Sequence, residues 1–137
     1  MYGSFPGLIW NGGRSFYNTD FIHISDMYNC LQEINNKSMI CKFTFTNQLL
    51  EKQHCSNPLC NNILDLIADT KNEIVIFSDI LENYIKEKYP YINLTSSITK
   101  GNSLSVLQNN LQKDYSAVVC FYKKNILQYI SQLSKID

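Results

Sequence analysis

The sequence predicts a single α/β domain of about five βα units around a mainly parallel sheet. Three observations lead to the βα reading. Short apolar or β-branched runs recur along the chain, each closing in polar residues suited to a helix start. The segments between them carry apolar residues at helical spacing, and these crossovers are long enough to join parallel strands.

The elements follow in order. Residues 5 to 14, Phe5-Pro6-Gly7-Leu8-Ile9-Trp10-Asn11-Gly12-Gly13-Arg14, read as a short strand and a loop, where Gly12 and Gly13 permit close backbone approach. Phe21 to Ile24 suits a short strand or the lead into a helix, which Ser25 or Asp26 would cap and whose apolar face is Met27, Leu31 and Ile34. That helix stops near Asn35-Asn36. A buried strand covers 39 to 46 and ends abruptly at Thr46-Asn47. Asn57 at the cap with Pro58 at the first helical position starts a helix over 58 to 69, with Leu59, Ile63, Leu66 and Ile67 on its apolar face. Residues 73 to 77, Glu73-Ile74-Val75-Ile76-Phe77, form a continuous apolar run expected of a strand covered on both faces.

Ser78-Asp79 caps the next helix, whose Leu81, Tyr84, Ile85 and Lys88 stripe ends before Tyr89-Pro90. Residues 91 to 97 read as a fourth strand with a polar finish. Asn102 or Ser103 caps a helix carrying Leu104, Leu107 and Leu111. Residues 115 to 121 form a fifth strand, and Ile126, Tyr129, Ile130 and Leu133 mark a last helix. No charge run or proline-rich linker divides the chain.

Length and composition bound the function classes. With 137 residues the chain suits one domain with a real core, and 45% hydrophobic against 18% charged residues is a globular balance. Lys+Arg and Asp+Glu both total 12, so no broad basic field draws nucleic acid or anionic lipid, and neither is expected as a partner. No apolar run approaches the roughly 18 to 20 residues of a membrane span, and no basic stretch with a long apolar core opens the chain. The expected compartment is the cytoplasm.

The chain has 5 cysteines, Cys30, Cys41, Cys55, Cys60 and Cys120, without CxxC spacing, which reads as free thiols with Cys41 and Cys120 as small core residues. His54-Cys55 with Cys60 is the cluster with zinc-ligand chemistry, but ligands from one loop without a second pair make no metal signature. No cofactor is expected, and metal binding at these residues is left open.

In parallel α/β proteins, ligands bind outside the carboxyl ends of the strands, where the following helix N-termini offer unpaired N–H groups. That rule selects Asn11 and Arg14 after the first strand, Thr46 and Asn47 after the second, and Ser78 and Asp79 after the third. It adds Ser96, Ser97, Thr99 and Lys100 after the fourth, with Tyr122, Lys123 and Asn125 after the fifth. Arg14 and Lys100 suit a carboxylate or phosphate, or are solvated surface cations. Asn11 and Asn47 suit ligand contacts or local turns. Ser96 and Ser97 sit in no GxSxG elbow and no histidine follows them, which argues against a serine hydrolase. The chain contains no GxGxxG, P-loop or HExxH motif. The candidate ligand-binding set is Asn11, Arg14, Thr46, Asn47, Ser96 and Lys100, with no catalytic residue assigned.

Trp10-Asn11-Gly12-Gly13-Arg14, Phe43-Thr44-Phe45-Thr46-Asn47, Cys60-Asn61, Tyr84-Ile85 with Tyr89-Pro90, and Ser96-Ser97-Ile98-Thr99-Lys100 together carry a resemblance. The chain resembles the N-terminal part of uncharacterised bacterial barrel proteins distantly similar to the collagenase-like peptidase barrels, a group that includes ubiquinone-hydroxylation factors. The resemblance implies a (βα)8-type barrel with the matched polar residues at its C-terminal face, so that the five βα units resemble a partial (βα)8 barrel. The family's C-terminal half, with cysteines that hold an iron-sulfur cluster in some relatives, has no counterpart here. A typical complete barrel has about 250 residues, so the expectation is a fragment, a split gene product or a shortened relative.

Two functions follow as expectations. One is an enzyme-like barrel acting on a small anionic or peptide-like substrate, with Arg14 and Lys100 as anchors and Asn11, Thr46 and Asn47 orienting it. The other is a non-catalytic interaction or assembly module forming a homo-oligomer through open sheet edges.

Overall fold

A computed structural model describes residues 1–12, 23–100 and 103–119. Five strands, β1 (Tyr2–Gly3), β2 (Lys42–Phe45), β3 (Glu73–Ile76), β4 (Leu94–Ser96) and β5 (Ala117–Val118), lie side by side in chain order, each parallel to its neighbour. Between them run α1 (Ile24–Asn36), α2 (Pro58–Asp69), α3 (Asp79–Lys88) and α4 (Leu104–Leu111). Short 3₁₀ turns, Lys52–Ser56 and Ile98–Lys100, precede α2 and α4. Every crossover advances one strand in the same direction, and right-handed crossovers then place all these helices on one face.

The packing agrees. Phe43, Phe45, Ile74, Ile76 and Leu94 share one buried cluster with Met27 and Leu31 of α1, Ile63, Leu64 and Ile67 of α2, and Leu81 and Ile85 of α3. Alternating residues of the same strands, Lys42, Thr44, Glu73, Val75 and Thr95, belong to the other, inner face. Tyr2 of β1 and Val119, just past β5, line a single inner-face cavity of about 410 Å³. In a flat sheet these strands would stand about 19 Å apart, at about 4.8 Å per strand spacing. The sheet is therefore curled, as in an arc of a (βα) barrel. Among the described residues, no helix is long and apolar enough to cross a membrane.

Two side chains close the ends of the core. Trp10 is fully buried, meets Phe45 and Tyr84 edge-on at 5.3 and 6.2 Å, and donates its indole N–H to the His54 carbonyl at 2.9 Å. Its ring thus shields the strand-tip end of the helix-side layer while its polar atom stays satisfied. At the opposite end, buried Asn72 accepts from the Cys41 N–H at 2.9 Å and donates to Thr70 Oγ1 at 2.7 Å. It also bonds the Asn35 amide, so one side chain ties the end of α1, the end of α2 and the start of β2.

Several expectations are corrected. The first strand is Tyr2–Gly3, not part of residues 5–14. Pro6 lacks an N–H for a ladder and Gly7 turns the chain at φ 77°, so Leu8 and Trp10 drop onto the core as a loop. The second strand begins at Lys42 because Ser38 is left-handed, at φ 58°, and Met39 and Ile40 remain 45% exposed. The fourth strand is confined to Leu94–Ser96, with Tyr91 exposed, and among the described residues the fifth pairs at Ala117–Val118. Helix α1 starts before Ser25 and Asp26, with His23 at the cap position and no side-chain cap bond. Leu59 and Leu111 are exposed on their helices rather than buried. Asn57 caps α2 ahead of Pro58, Ser78 caps α3, and Ser103 caps α4. Val75 is buried on the inner face between Ile74 and Ile76, as a strand covered on both faces requires. The segment over residues 13–22, Cys120 and the helix around Ile126 to Leu133 lie outside the described residues.

Phe45→Ala should lower unfolding stability by about 3–5 kcal/mol through loss of burial and the cavity left behind. Asn72→Ala should cost about 1–3 kcal/mol, because the buried Cys41 N–H loses its acceptor. Equilibrium urea unfolding of both variants checks these values.

Candidate functional site

The inner-face cavity opens where β2 and β4 leave the sheet. Strand alternation carries Thr44 and Thr46 to its wall from β2, Val75 from β3, and Ser97 from the residue after β4. Ser97 Oγ and Thr99 Oγ1 are 2.9 Å apart, and the Thr99 N–H also donates to Ser97 Oγ at 3.4 Å. Lower on the same face, Lys42 Nζ pairs with Glu73 at 2.6 Å and donates to Thr95 Oγ1 at 3.1 Å. This pair is charge-matched within the sheet, away from the cavity lining, while buried Glu73 Oε2 makes no hydrogen bond among the described residues.

Gly12 lies directly against the β2 tip. A Cβ there would overlap Thr46 Oγ1 and come within 2.9 Å of the Thr46 carbonyl oxygen, so only glycine allows this approach.

A second cavity, of about 550 Å³, lies beside the first, between the start of α3 and α4. The two share Gln48 and Thr99. The side cavity adds Ser78, Asp79, Lys100, Asn110 and Lys113, with Leu50, Phe77, Ile80 and Val106 as its apolar wall.

An ion-pair cluster underlies this side cavity. The Lys100 side chain is 8% exposed, and its Nζ lies 2.6 Å from Glu82 Oε2, 2.8 Å from Asp79 Oδ1 and 2.9 Å from Tyr115 Oη. The Tyr115 hydroxyl donates to Glu82, and Lys113 Nζ reaches Asp79 Oδ1 at 2.9 Å. Burial alone would raise the Glu82 carboxyl, but the hydrogen bonds from Lys100 and Tyr115 and the lysine charges hold it below the usual range. The Lys100 hydrogen bond, above all, lowers Asp79 despite its desolvation. Burial first, and then the bond to Glu82, push the Tyr115 hydroxyl well above its ordinary value. Burial pulls the Lys113 ammonium down, but the Asp79 bond and nearby negative charge leave it raised.

The six predicted ligand residues separate. Thr46 lines the inner cavity. Ser96 is fully buried on the helix side of β4, 3.3 Å from the Asn110 amide, while its neighbour Ser97 takes the cavity position. Asn47 fastens the β2 tip to the loop before it, donating to the Ile9 carbonyl at 2.6 Å and accepting from the Leu49 N–H at 2.9 Å. Asn11 likewise holds its own turn through the Phe5 carbonyl at 2.5 Å. Lys100 lies in the side cavity but is matched with Glu82 and Asp79. Arg14 lies outside the described residues, as do Tyr122, Lys123 and Asn125.

His54 Nδ1 accepts from the Glu51 N–H at 2.9 Å, and Cys55 and Cys60 are buried, with burial raising both thiols. Among the described residues, no group of three or more His, Cys, Asp or Glu side chains is placed to hold a metal ion.

Sequence reasoning missed Thr44, Gln48, Glu82, Lys113 and Tyr115. Thr44 was accessible, because it stands two residues before Thr46 and so shares its face. Glu82 was accessible as the residue three after Asp79 on the same helix. Lys113 and Tyr115 carry no local pattern and reach the cluster only through the fold.

The folded-state carboxyls of Glu82 and Asp79 sit below their ordinary 4.5 and 3.8, so their stabilisation is present above those values and lost as pH falls through the folded ones. Urea unfolding against pH should show stability dropping below 4.5. Glu82→Gln should cost about 3 kcal/mol at neutral pH, by leaving the Lys100 ammonium under-paired, and should flatten the acid limb.

No family model matches this chain, and no curated protein or solved structure does either.

Proposed function

We propose that the chain is a ligand-binding α/β domain whose curled sheet takes a small, polar, peptide-like molecule in the cavity at the strand tips. The observation that carries this reading is the convergence of Thr44, Thr46, Ser97 and Thr99 with Gln48 on one cavity of about 410 Å³. Hydroxyl and amide groups both donate and accept, which suits an uncharged amide. Val75, Ile98 and Val119 supply apolar wall, and no charged side chain is in the described lining. The volume falls in the range of small-molecule sites.

An anionic ligand finds less support, since Lys100 already faces Glu82 and Asp79. The barrel resemblance remains part of the proposal, supported by the sequential parallel order and the one-sided helices. An enzymatic role would make the peptide-like molecule a substrate, with no catalytic residue assigned.

A thermal-shift screen of small peptides and their amides should give a stabilising compound. Thr46→Val or Ser97→Ala should then weaken its binding about fivefold to tenfold, the value of one hydrogen bond. Unchanged affinity in both variants would contradict the reading.

A second reading, assembly through the sheet edge, is favoured by β1. Among the described residues it pairs only with β2, and Met1 and Tyr2 beside that edge are 63% and 59% exposed. Sedimentation velocity over a wide concentration range should then show dimers, and a monomer throughout would count against it.

A further inference from the structure

We infer that the side cavity is a separate site for the zwitterionic head of an apolar α-amino acid, with Asp79 receiving the ammonium and Lys113 the carboxylate. This goes beyond the ligand proposed for the inner cavity, because the charged groups and apolar wall it uses are absent from the inner lining, the shared Gln48 and Thr99 aside, and it can fail alone.

The cluster contains two layers. Inside, Lys100 and Glu82 are 8% and 4% exposed and locked together with Tyr115. Outside, Asp79 and Lys113 are 69% and 39% exposed and touch each other at 2.9 Å, each also tied inward, Asp79 to Lys100 at 2.8 Å and Lys113 to Glu82 at 3.6 Å, contacts that a ligand can leave in place. An exposed pair of this kind is worth about 0–1 kcal/mol, so opening it costs little. Both lysine contacts to Asp79 use Oδ1, and Oδ2 makes no hydrogen bond among the described residues.

Charge matching then selects the ligand. A simple anion approaching Lys113 meets the Asp79 carboxylate beside it. A simple cation approaching Asp79 meets two ammonium groups. A molecule with both charges replaces the Lys113–Asp79 contact by two equivalent ones and leaves no charge uncompensated. The remaining wall fits an aliphatic side chain, with Leu50, Phe77, Ile80 and Val106 facing the same space as the charged mouth. At about 550 Å³ the cavity has room for such a molecule.

Calorimetric titration of the intact chain with L-leucine, N-acetyl-L-leucine and L-leucine methyl ester tests this. L-Leucine should bind, and each derivative, lacking one charge, should bind at least about tenfold more weakly. Lys113→Gln and Asp79→Asn should each weaken L-leucine to a similar degree, with folding checked by circular dichroism. Lys113 is exposed enough that its variant keeps the test usable if Asp79→Asn unfolds. Thr46→Val should leave L-leucine affinity unchanged, which separates this site from the inner cavity. Absence of L-leucine binding, equal binding of either derivative, or loss of binding in Thr46→Val would overturn the inference.

Discussion

Sequential parallel pairing is the constraint on which the rest of this molecule depends. Once β1 to β5 run in chain order, the right-handed crossovers put α1 to α4 on one face. Each strand must then divide its residues between a helix-packed side and an inner side. Phe43, Phe45, Ile74, Ile76 and Leu94 supply the first, and Lys42, Thr44, Glu73, Val75 and Thr95 supply the second. The inner side carries most of the polar residues of these strands, and its curl gathers the hydroxyls at the strand tips around one cavity. The same alternation separates adjacent serines, sending Ser96 toward Asn110 and Ser97 toward the cavity.

Electrostatics divide along the same line. On the inner face, Lys42 and Glu73 match charge across neighbouring strands at 2.6 Å. Beside the strand tips, Lys100 joins α3 to the segment before β5 through Glu82 and Tyr115. These groups act as a staple whose strength depends on the carboxyls staying ionised. Lys100 therefore contributes to the architecture that a cationic anchor would have left free, and only the outer Asp79–Lys113 contact is exposed enough to exchange partners.

The fold was legible in the sequence where local physics and tertiary demand coincide. Asn57-Pro58 starts α2 because the Asn57 side chain accepts from the Cys60 N–H at 3.0 Å while proline needs no donor there. The β3 run stands out because Ile74, Val75 and Ile76 are all buried. The first strand was not legible, since Leu8, Ile9 and Trp10 are more apolar than Tyr2-Gly3 and yet serve as a loop. Leu8 and Trp10 are buried there, with Trp10 docked on Phe45 and Tyr84, a contact that no local pattern encodes. The place of Thr46 on the inner cavity was legible from its position at a strand end. The bonds of Asn47 and Lys100 were not, because each is made to a partner distant in sequence: the Ile9 carbonyl is 38 residues from Asn47, and Glu82 is 18 from Lys100. Asn11, bonded only six residues back to Phe5, follows a turn that Pro6 and Gly7 create.

The claim that function resides in the hydroxyl-lined inner face is tested most directly by mapping amide chemical shifts as a peptide-like ligand is titrated into the labelled protein. The resonances of Thr44, Thr46, Ser97 and Thr99 should move first and furthest, with Ser96 and Asn110 on the helix side far less affected. Shifts concentrated on the helix side or along the Tyr2–Gly3 edge, with the inner-face resonances unmoved, would contradict it.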